Sequence, residues 1–551
     1  MTNWVSKIDL DSDQLALLDT QGPGEARTRI KTCRSFGKPL SAAGECKGSK
    51  GGTRATSVPL WPTVAFLLCV LSAFHLARKH LTDRGTLAAC LASKQIPFVV
   101  EGSESWSQKA ATWNIRLAYK PAAIAIPPSA HHVAAAVTCG VNNGVRVSAK
   151  SGGHSFGSHG FGGEDGHLVI DLGLMDGIVL DEDGFAKIQP GARLGRVAME
   201  LYNQGGRAIP HGSCPGVGVA GHVLHGGYGI ASRLHGLTLD WLIGATVVFA
   251  NGSSAHCSET DNADLFWALR GAGSSFGIVT EFEFKTFEAP DQVTPFTIDL
   301  RWNEAQAAQG LEAFQEFATA AARELNLWLF MDGVSQSIQG VYFGHVTGLN
   351  EAIQPLLDRT GAEVSYATTM GWIQAHAHFA NGTDLRQMSA HDLHKSFYGT
   401  SLMVNALTDD HFKSFMSAVF SNINEMSARH SWDFTVAFHG GDGSAIADVD
   451  TSATAYVHRD KLLLYQFSDI ETHGHYPDDG FAVLRRFRES VTNSLEDGQW
   501  GMYANYVDTQ LDSETAQKLY WGNNLHRLQH IKSTLDPDEV FWDPHSIRPL
   551  P

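Results

Sequence analysis

Two glycine-rich segments, each holding one nucleophilic side chain, constrain this chain more than any other feature. The first is Ser151-Gly-Gly-His-Ser-Phe-Gly157, which carries His154. The second is His211-Gly-Ser-Cys-Pro-Gly-Val-Gly-Val-Ala-Gly221, which carries Cys214, and the two nucleophiles stand 60 residues apart. Glycine lets backbone approach a neighbour closely and supplies a positive φ where a tight turn needs one. An imidazole and a thiol set in two such loops imply a planar cofactor gripped from two sides. Taken alone, His154 reads as an ordinary hydrogen-bonding residue and Cys214 as a small buried hydrophobe. The pairing of the two loops carries the inference. Gly216-x-Gly218-x-x-Gly221 followed by Asp240 superficially meets the dinucleotide-binding fingerprint. Its glycines follow Pro210-His-Gly-Ser-Cys-Pro215 instead of a buried apolar strand, so no helix N-terminus is aimed at a pyrophosphate.

Short strands and helices alternate around these loops. Ala122 to Pro128 reads as a strand ended by proline, and a helix is expected over residues 131–142. Val145 to Ala149 is a strand running into the histidine loop, and Leu168–Leu172 and Phe185–Gln189 are strands divided by an Asp/Gly turn. Leu194 to Asn203 reads as a helix, and Leu242 to Ala250 as a strand closing at Asn-Gly. The character changes near Ala289-Pro-Asp291: an Ala/Glu-rich helix over Asn303–Leu325, strands at Leu327–Met331 and Gly340–Gly344, and a helix over Asp409–Arg429. After Trp500 come a strand, Tyr503-Ala-Asn-Tyr-Val-Asp508, and a helix with Leu519, Leu525, Leu528 and Ile531 at helical spacing. No internal repeat is present, which excludes a solenoid or propeller.

The loops and their separation resemble the flavin attachment points of the berberine-bridge-enzyme-like oxidases of the vanillyl-alcohol-oxidase superfamily. Within that group they are most similar to the fungal glucooligosaccharide oxidases. The resemblance implies an α+β chain: a two-part FAD-binding domain (residues 86–290, with 500–551 returning to it) and a substrate-binding domain (291–499) with an antiparallel sheet and covering helices. It implies FAD bound covalently at both His154 and Cys214. The expected cofactor-binding set is completed by Ser151, Gly152, Gly153, Ser155, Gly216, Val217, Gly218, Gly221, His222, Gly226, Gly227, Gly273, Phe276, Gly277, Ile278 and Asn505. Val217 matches a gatekeeper position at which valine admits dioxygen. His222 matches a histidine whose donor stabilises negative charge on reduced flavin, with a structural core histidine as the alternative. Backbone amides between Gly271 and Gly277 are candidate pyrophosphate donors, and Asn505 is expected to face the cofactor.

On the same resemblance, Tyr506 is the catalytic base, although a strand tyrosine of this kind otherwise packs in a core. A free tyrosine ionises near about pH 10, so it needs help to act near neutrality. Tyr228 and Phe156 are expected at the sugar site, with Phe156 standing where related enzymes often carry tyrosine. Related sugar oxidases also place an acid at the end of the strand that here reads Trp432-Asp-Phe-Thr-Val-Ala-Phe438. That end has no acid, which leaves Asp433, by alternation parity, or Asp508, two residues past Tyr506, as candidate activators.

The implied reaction oxidises the C1 hydroxyl of a reducing-end sugar to the lactone: Tyr506 takes the proton, hydride passes to flavin N5, and dioxygen becomes hydrogen peroxide. A secondary metabolite, an alkaloid or aromatic alcohol, is the alternative substrate. A catalytically idle carbohydrate-binding protein is the alternative class. A net charge of −17, from 41 basic and 58 acidic residues, excludes a nucleic-acid partner. The expected partners are a small carbohydrate and dioxygen, and the chain is expected to act as a monomer. Among 26 histidines, pairs such as His391-x-x-His394 lack a recognised ligand set, so no metal is expected.

Seven cysteines are few for a disulfide scaffold. With Cys214 carrying flavin, the family pattern implies a Cys90–Cys139 disulfide and leaves Cys257 as a buried free thiol. Residues 1–57 read as a disordered extension. Residues 58–77 are a hydrophobic signal or anchor, whose uncharged run of 19 from Pro59 to Ala77 barely reaches the roughly 20 residues of a spanning helix. A buried soluble helix is the remaining alternative, and membrane association is expected only if this segment stays attached. The sequons at Asn251 and Asn381 agree with a secreted glycoprotein.

Overall fold

Pro127 and Pro128 remove two backbone donors and stop the apolar run before them, leaving a short strand inside a small sheet. In the computed structural model, which describes residues 87–386, 394–425, 430–471 and 474–551, that sheet has four strands. They are β1 (Phe98–Val99), β2 (Ala123–Ala125), β3 (Val147–Lys150) and β4 (Leu168–Asp171), in the order β1-β2-β4-β3. The β2/β4 and β3/β4 pairs are parallel, as the intervening helix Ala130–Asn142 requires. A second, antiparallel sheet holds β5 (Ile178–Leu180), β6 (Phe185–Ile188), β7 (Leu242–Val248), β8 (Ser254–Ser258) and β9 (Ile278–Lys285), in the order β5-β6-β9-β7-β8. The Cys90–Cys139 disulfide is present, and Cys257 is free and buried.

The third sheet carries the site. Its strands are β10 (Thr294–Leu300), β11 (Leu325–Asp332), β12 (Gln336–Tyr342), β13 (Tyr366–Ala367), β14 (Ser396–Val404), β15 (His430–Phe438), β16 (Leu463–Glu471) and β17 (Trp500–Gly501). They run antiparallel in the order β13-β10-β12-β11-β15-β16-β14-β17. Alternation divides their side chains. Leu327, Leu329, Phe434, Val436, Tyr465 and Phe467 form one core with Phe314, Phe415 and Phe487 of the helices Glu304–Ala320, Asp409–Glu425 and Gly480–Thr492. Trp328, Ala437, Leu464, Phe397 and Met403 point the other way and share a core with the glycine-rich loops. One face of this sheet is therefore the floor of the site.

The C-terminal helices Ser513–Trp521 and Leu525–Leu535 return to the segment after residue 268. Trp521 Nε1 donates to Gly271 O at 3.0 Å, and the fully buried Lys532 ammonium donates to Ser275 O at 2.6 Å and pairs with Asp536.

Two expectations change. The Ala/Glu-rich helix ends at Ala320, because Leu325 already opens the wholly buried β11. Tyr503–Asp508 is not a strand: β17 ends at Gly501 and the chain then turns, with Tyr506 N donating to Tyr503 O at 2.8 Å. The expectations for residues 1–57 and 58–77, and the end of the helix expected to reach Arg429, lie outside the described residues. Among the described residues no helix is long and apolar enough to cross a membrane.

Candidate functional site

The histidine loop leaves the end of β3, and the cysteine loop enters the short helix Val219–Leu224. The loops lie backbone to backbone. A Cβ added to Gly152 would fall 2.2 Å from Gly218 N, and one added to Gly218 would fall 2.1 Å from Gly152 N. Only glycine permits that approach, and it brings His154 Nε2 to 4.0 Å from Cys214 Sγ. Residues beneath the loops hold them. Ser151 Oγ donates to Pro190 O at 2.5 Å, and Ser155 Oγ accepts from His159 N at 3.2 Å. Lys150, under the positive-φ Gly153, pairs with Asp171 at 3.1 Å.

Cys214 is exposed at the base of the loop. Surrounding protein desolvates it and raises its thiol pKa, while the amides of Gly216 and Val217 and the Arg193 charge favour the thiolate. Gly221, likewise exposed, has no atom within 4 Å of the position a Cβ would take. Two nucleophiles side by side, an accessible sulfur and bare glycine backbone form a cradle that suits a planar ring attached at two points.

An aromatic wall leads from His154 to Tyr506. Trp113 packs on His154 with ring centroids 4.5 Å apart and on Phe156 at 5.7 Å; Phe156 stacks on Tyr506 at 5.6 Å and 15°. Phe156 sits over Gly399 of β14, where an added Cβ would come within 2.7 Å of its ring. Burial, with Tyr503 and Tyr228 nearby, raises the Tyr506 pKa well above that of a free phenol. Among the described residues nothing hydrogen-bonds the Tyr506 hydroxyl.

Several expected site residues brace the site. The Tyr228 hydroxyl is committed to Asn326 Oδ1 at 3.0 Å and Phe438 O at 2.6 Å, so it joins the second glycine loop to the sheet and does not present itself to a sugar. The amide nitrogen of Asn505 donates to His222 O at 3.2 Å and Tyr503 Oη at 3.0 Å, which ties it to the second glycine loop. That Tyr503 oxygen also accepts from Gly227 N at 2.9 Å and Tyr228 N at 3.1 Å, which fixes the turn at Gly226 and Gly227. His222 Nε2 accepts from Gly212 N at 3.0 Å, and burial lowers its pKa to about 3. It is a neutral brace of the cysteine loop, the core-histidine alternative. Phe276, Gly277 and Ile278 are buried, with Gly277 packed on β7 and Ile278 opening β9. The Phe276 and Ile278 side chains serve the core, and Gly273 begins a one-turn 3-10 helix over Gly273–Ser275.

The candidate activators separate. Asp508 is fully buried; it accepts from Tyr398 Oη at 2.7 Å, Thr400 Oγ1 at 2.8 Å and Gln510 N at 2.9 Å, and pairs with Arg488. No face is shared with Tyr506, because the segment is a turn. Asp433 lies on the site face, in the cross-strand row Asp332, Asp433, Ser468, Gly399. Two strand spacings, about 10 Å, separate its backbone from the Gly399 backbone beneath Phe156.

Three structural contributors carry no sequence signal: Trp113; Asn114, whose amide holds Phe156 O at 2.8 Å and Phe397 O at 3.0 Å; and Arg193, which reaches both loops. Their partners are distant in sequence. Among the described residues no cluster of three or more His, Cys, Asp or Glu can hold a metal.

Residues 121–258 match the family described as FAD binding domain, and residues 502–548 the family described as berberine and berberine like. Fold and site thus define an FAD-binding oxidoreductase. A chitooligosaccharide oxidase of Gibberella zeae is 48% identical over 471 residues, covering 85% of this chain and 95% of the relative. A solved structure of glucooligosaccharide oxidase from Acremonium strictum, with its 6-S-cysteinyl, 8α-N1-histidyl FAD, superimposes with a TM-score of 0.83 at 44% identity, covering 84% of this chain and 99% of that one. The xylooligosaccharide oxidase from Myceliophthora thermophila C1, in complex with xylobiose, superimposes with a TM-score of 0.83 at 42% identity, covering 85% and 100%. The chain belongs to the berberine-bridge-enzyme-like FAD-linked oxidases.

Proposed function

We propose that this chain is a carbohydrate oxidase that converts the C1 hydroxyl of a reducing-end oligosaccharide to the lactone, with dioxygen as electron acceptor and hydrogen peroxide as product. The carrying observation is the pair His154 Nε2 and Cys214 Sγ, 4.0 Å apart, at one end of an aromatic wall that ends at Tyr506. His154 and Cys214 would hold FAD at two points, the linkage named for the Acremonium strictum enzyme. Bound FAD supplies a two-electron acceptor. The protein supplies position and proton transfer. Tyr506 Oη takes the C1 hydroxyl proton, and Phe156, stacked parallel on the Tyr506 ring, fixes the orientation of that ring. Because burial raises the Tyr506 pKa, turnover increases as pH rises from neutrality.

Relatives acting on chito- and xylo-oligosaccharides support an oligosaccharide substrate. Peroxide release measured with cello-, malto-, chito- and xylo-oligosaccharides, and with a panel of aromatic alcohols, tests the reading. Release with at least one sugar series and none with the alcohols is expected; turnover of the alcohols alone would overturn it. We propose also that the protein is secreted and monomeric. The Cys90–Cys139 disulfide supports an oxidising compartment. Recovery from culture medium at monomer size would bear this out, and retention in cell membranes would contradict it.

A further inference from the structure

Arg193 stands at the entry to the helix Leu194–Gly205, with extended backbone at φ −104° and ψ 149°. The cysteine loop runs along it. Arg193 forms an isolated bridge with Gly218, Leu194 N donates to Val217 O at 2.9 Å, and Gly195 N donates to Pro215 O at 3.1 Å. The side chain crosses to the other loop. One guanidinium nitrogen, Nη1, donates to Gly216 O at 2.5 Å and to Gly152 O at 3.3 Å. Gly152 lies two residues before His154 and Gly216 two residues after Cys214, so one cation touches both loops at the same remove from each nucleophile.

Among the described residues no carboxylate pairs with Arg193, although it is half-buried. The Asp171 charge acts on it from beyond contact distance, and its hydrogen bonds go to two carbonyl oxygens, an arrangement that partly desolvates a cation and is stabilised by the bonds it makes. Both bonds come from Nη1, the far end of a planar guanidinium; lysine, with a shorter side chain and a freely rotating ammonium, does not reproduce that reach or fixed orientation. The close contact between Gly152 and Gly218 sets the minimum separation of the loops. Arg193 supplies the attraction that keeps them at it.

We propose that Arg193 is the positioning residue of the double flavin attachment, clasping Gly152 O and Gly216 O so that His154 and Cys214 meet the same ring in register. This rests on the two-point attachment stated above. Forming each link replaces an N–H or S–H bond and a C–H bond of the flavin by a C–N or C–S bond. The two hydrogens leave as two protons and two electrons, accepted by dioxygen. Arg193 takes no part in that exchange; it holds the two nucleophiles, 4.0 Å apart, in place while each link forms.

The test digests purified holoprotein with protease and measures by mass spectrometry the fraction of flavin joined to both the His154 and Cys214 peptides. In wild type most flavin joins both peptides. In Arg193→Ala and Arg193→Lys that fraction falls by roughly tenfold, the scale of losing a charge-assisted hydrogen bond, and flavin appears on one peptide alone. The absorption spectrum of unfolded protein shifts accordingly. If Arg193→Ala fails to fold, Arg193→Lys is decisive. Wild-type levels of doubly joined peptide in folded Arg193→Lys overturn the proposal while leaving double attachment intact. Absence of joined peptides in wild type overturns the attachment itself, and with it this role.

Discussion

Asp508→Asn separates two roles for a carboxylate that stands two residues from the proposed base. The substitution keeps the shape and removes the charge. Asp508 is fully buried, and the Arg488 side chain paired with it is only 11% exposed. Removing the anion leaves a nearly buried guanidinium unpaired, and because the amide nitrogen of asparagine cannot accept, one of the two bonds from Tyr398 Oη and Thr400 Oγ1 is lost. Breaking one side of such a pair costs about 3–5 kcal/mol, a large part of the roughly 5–15 kcal/mol by which a folded protein is stable. Thermal unfolding followed by tryptophan fluorescence reads this loss. The pH dependence of turnover, measured on the surviving folded fraction, reads the chemistry. Because Asp508 braces the turn and does not touch the Tyr506 hydroxyl, stability falls while the pH of half-maximal turnover stays in place. A protein of unchanged stability whose profile moves to higher pH would show that Asp508 activates Tyr506 directly, and the assignment of the network as a brace would be wrong.

Other outcomes follow from the same contacts. Gly152→Ala places a Cβ 2.2 Å from Gly218 N and costs about 1–3 kcal/mol as overpacking, whereas Gly221→Ala, which meets nothing within 4 Å, unfolds at the wild-type temperature; equal behaviour of the two refutes the loop contact. Tyr506→Phe retains bound flavin and loses about 10²–10⁴-fold in turnover, and full activity would remove it from the mechanism. Burial lowers the pKa of His159, His211 and His458 to about 4 and of His222 and His439 to about 3. These groups are neutral when folded but protonate near 6.5 when unfolded, so their contribution is complete above pH 6.5 and is lost as pH falls toward 4. Melting temperatures across that window should decline, and a flat profile would contradict the assignment.

The two attachment residues were legible because their signal is local. A nucleophile within four residues of several glycines is visible in one line of sequence, and few chemistries require both. The doubly glycine-lined cradle and the sheet with its covering helices followed from pattern and resemblance. What stayed hidden depends on contacts between distant segments. Tyr503–Asp508 has strand-favouring residues, yet its backbone groups are taken elsewhere: Tyr503 N donates to Ser401 Oγ at 3.0 Å and Asp508 N to Tyr520 Oη at 3.1 Å. The turn that results removed the parity argument for Asp508. Tyr228 carries no mark of its bonds to Asn326 and Phe438, nor Arg193 of its reach to Gly152, because each partner is set by tertiary packing. His222 illustrates the limit of resemblance. Resemblance assigns it a donor toward reduced flavin, whereas burial makes it a neutral acceptor for Gly212 N.

The sharpest test of the whole account is whether pigment survives denaturation. Acid-precipitated wild-type protein should retain its yellow colour in the pellet, His154→Ala and Cys214→Ala should each retain part of it, and the double variant should release all of it to the supernatant. Complete release from the unmodified protein would contradict attachment at two points, and the oxidation scheme built on that geometry would fall with it.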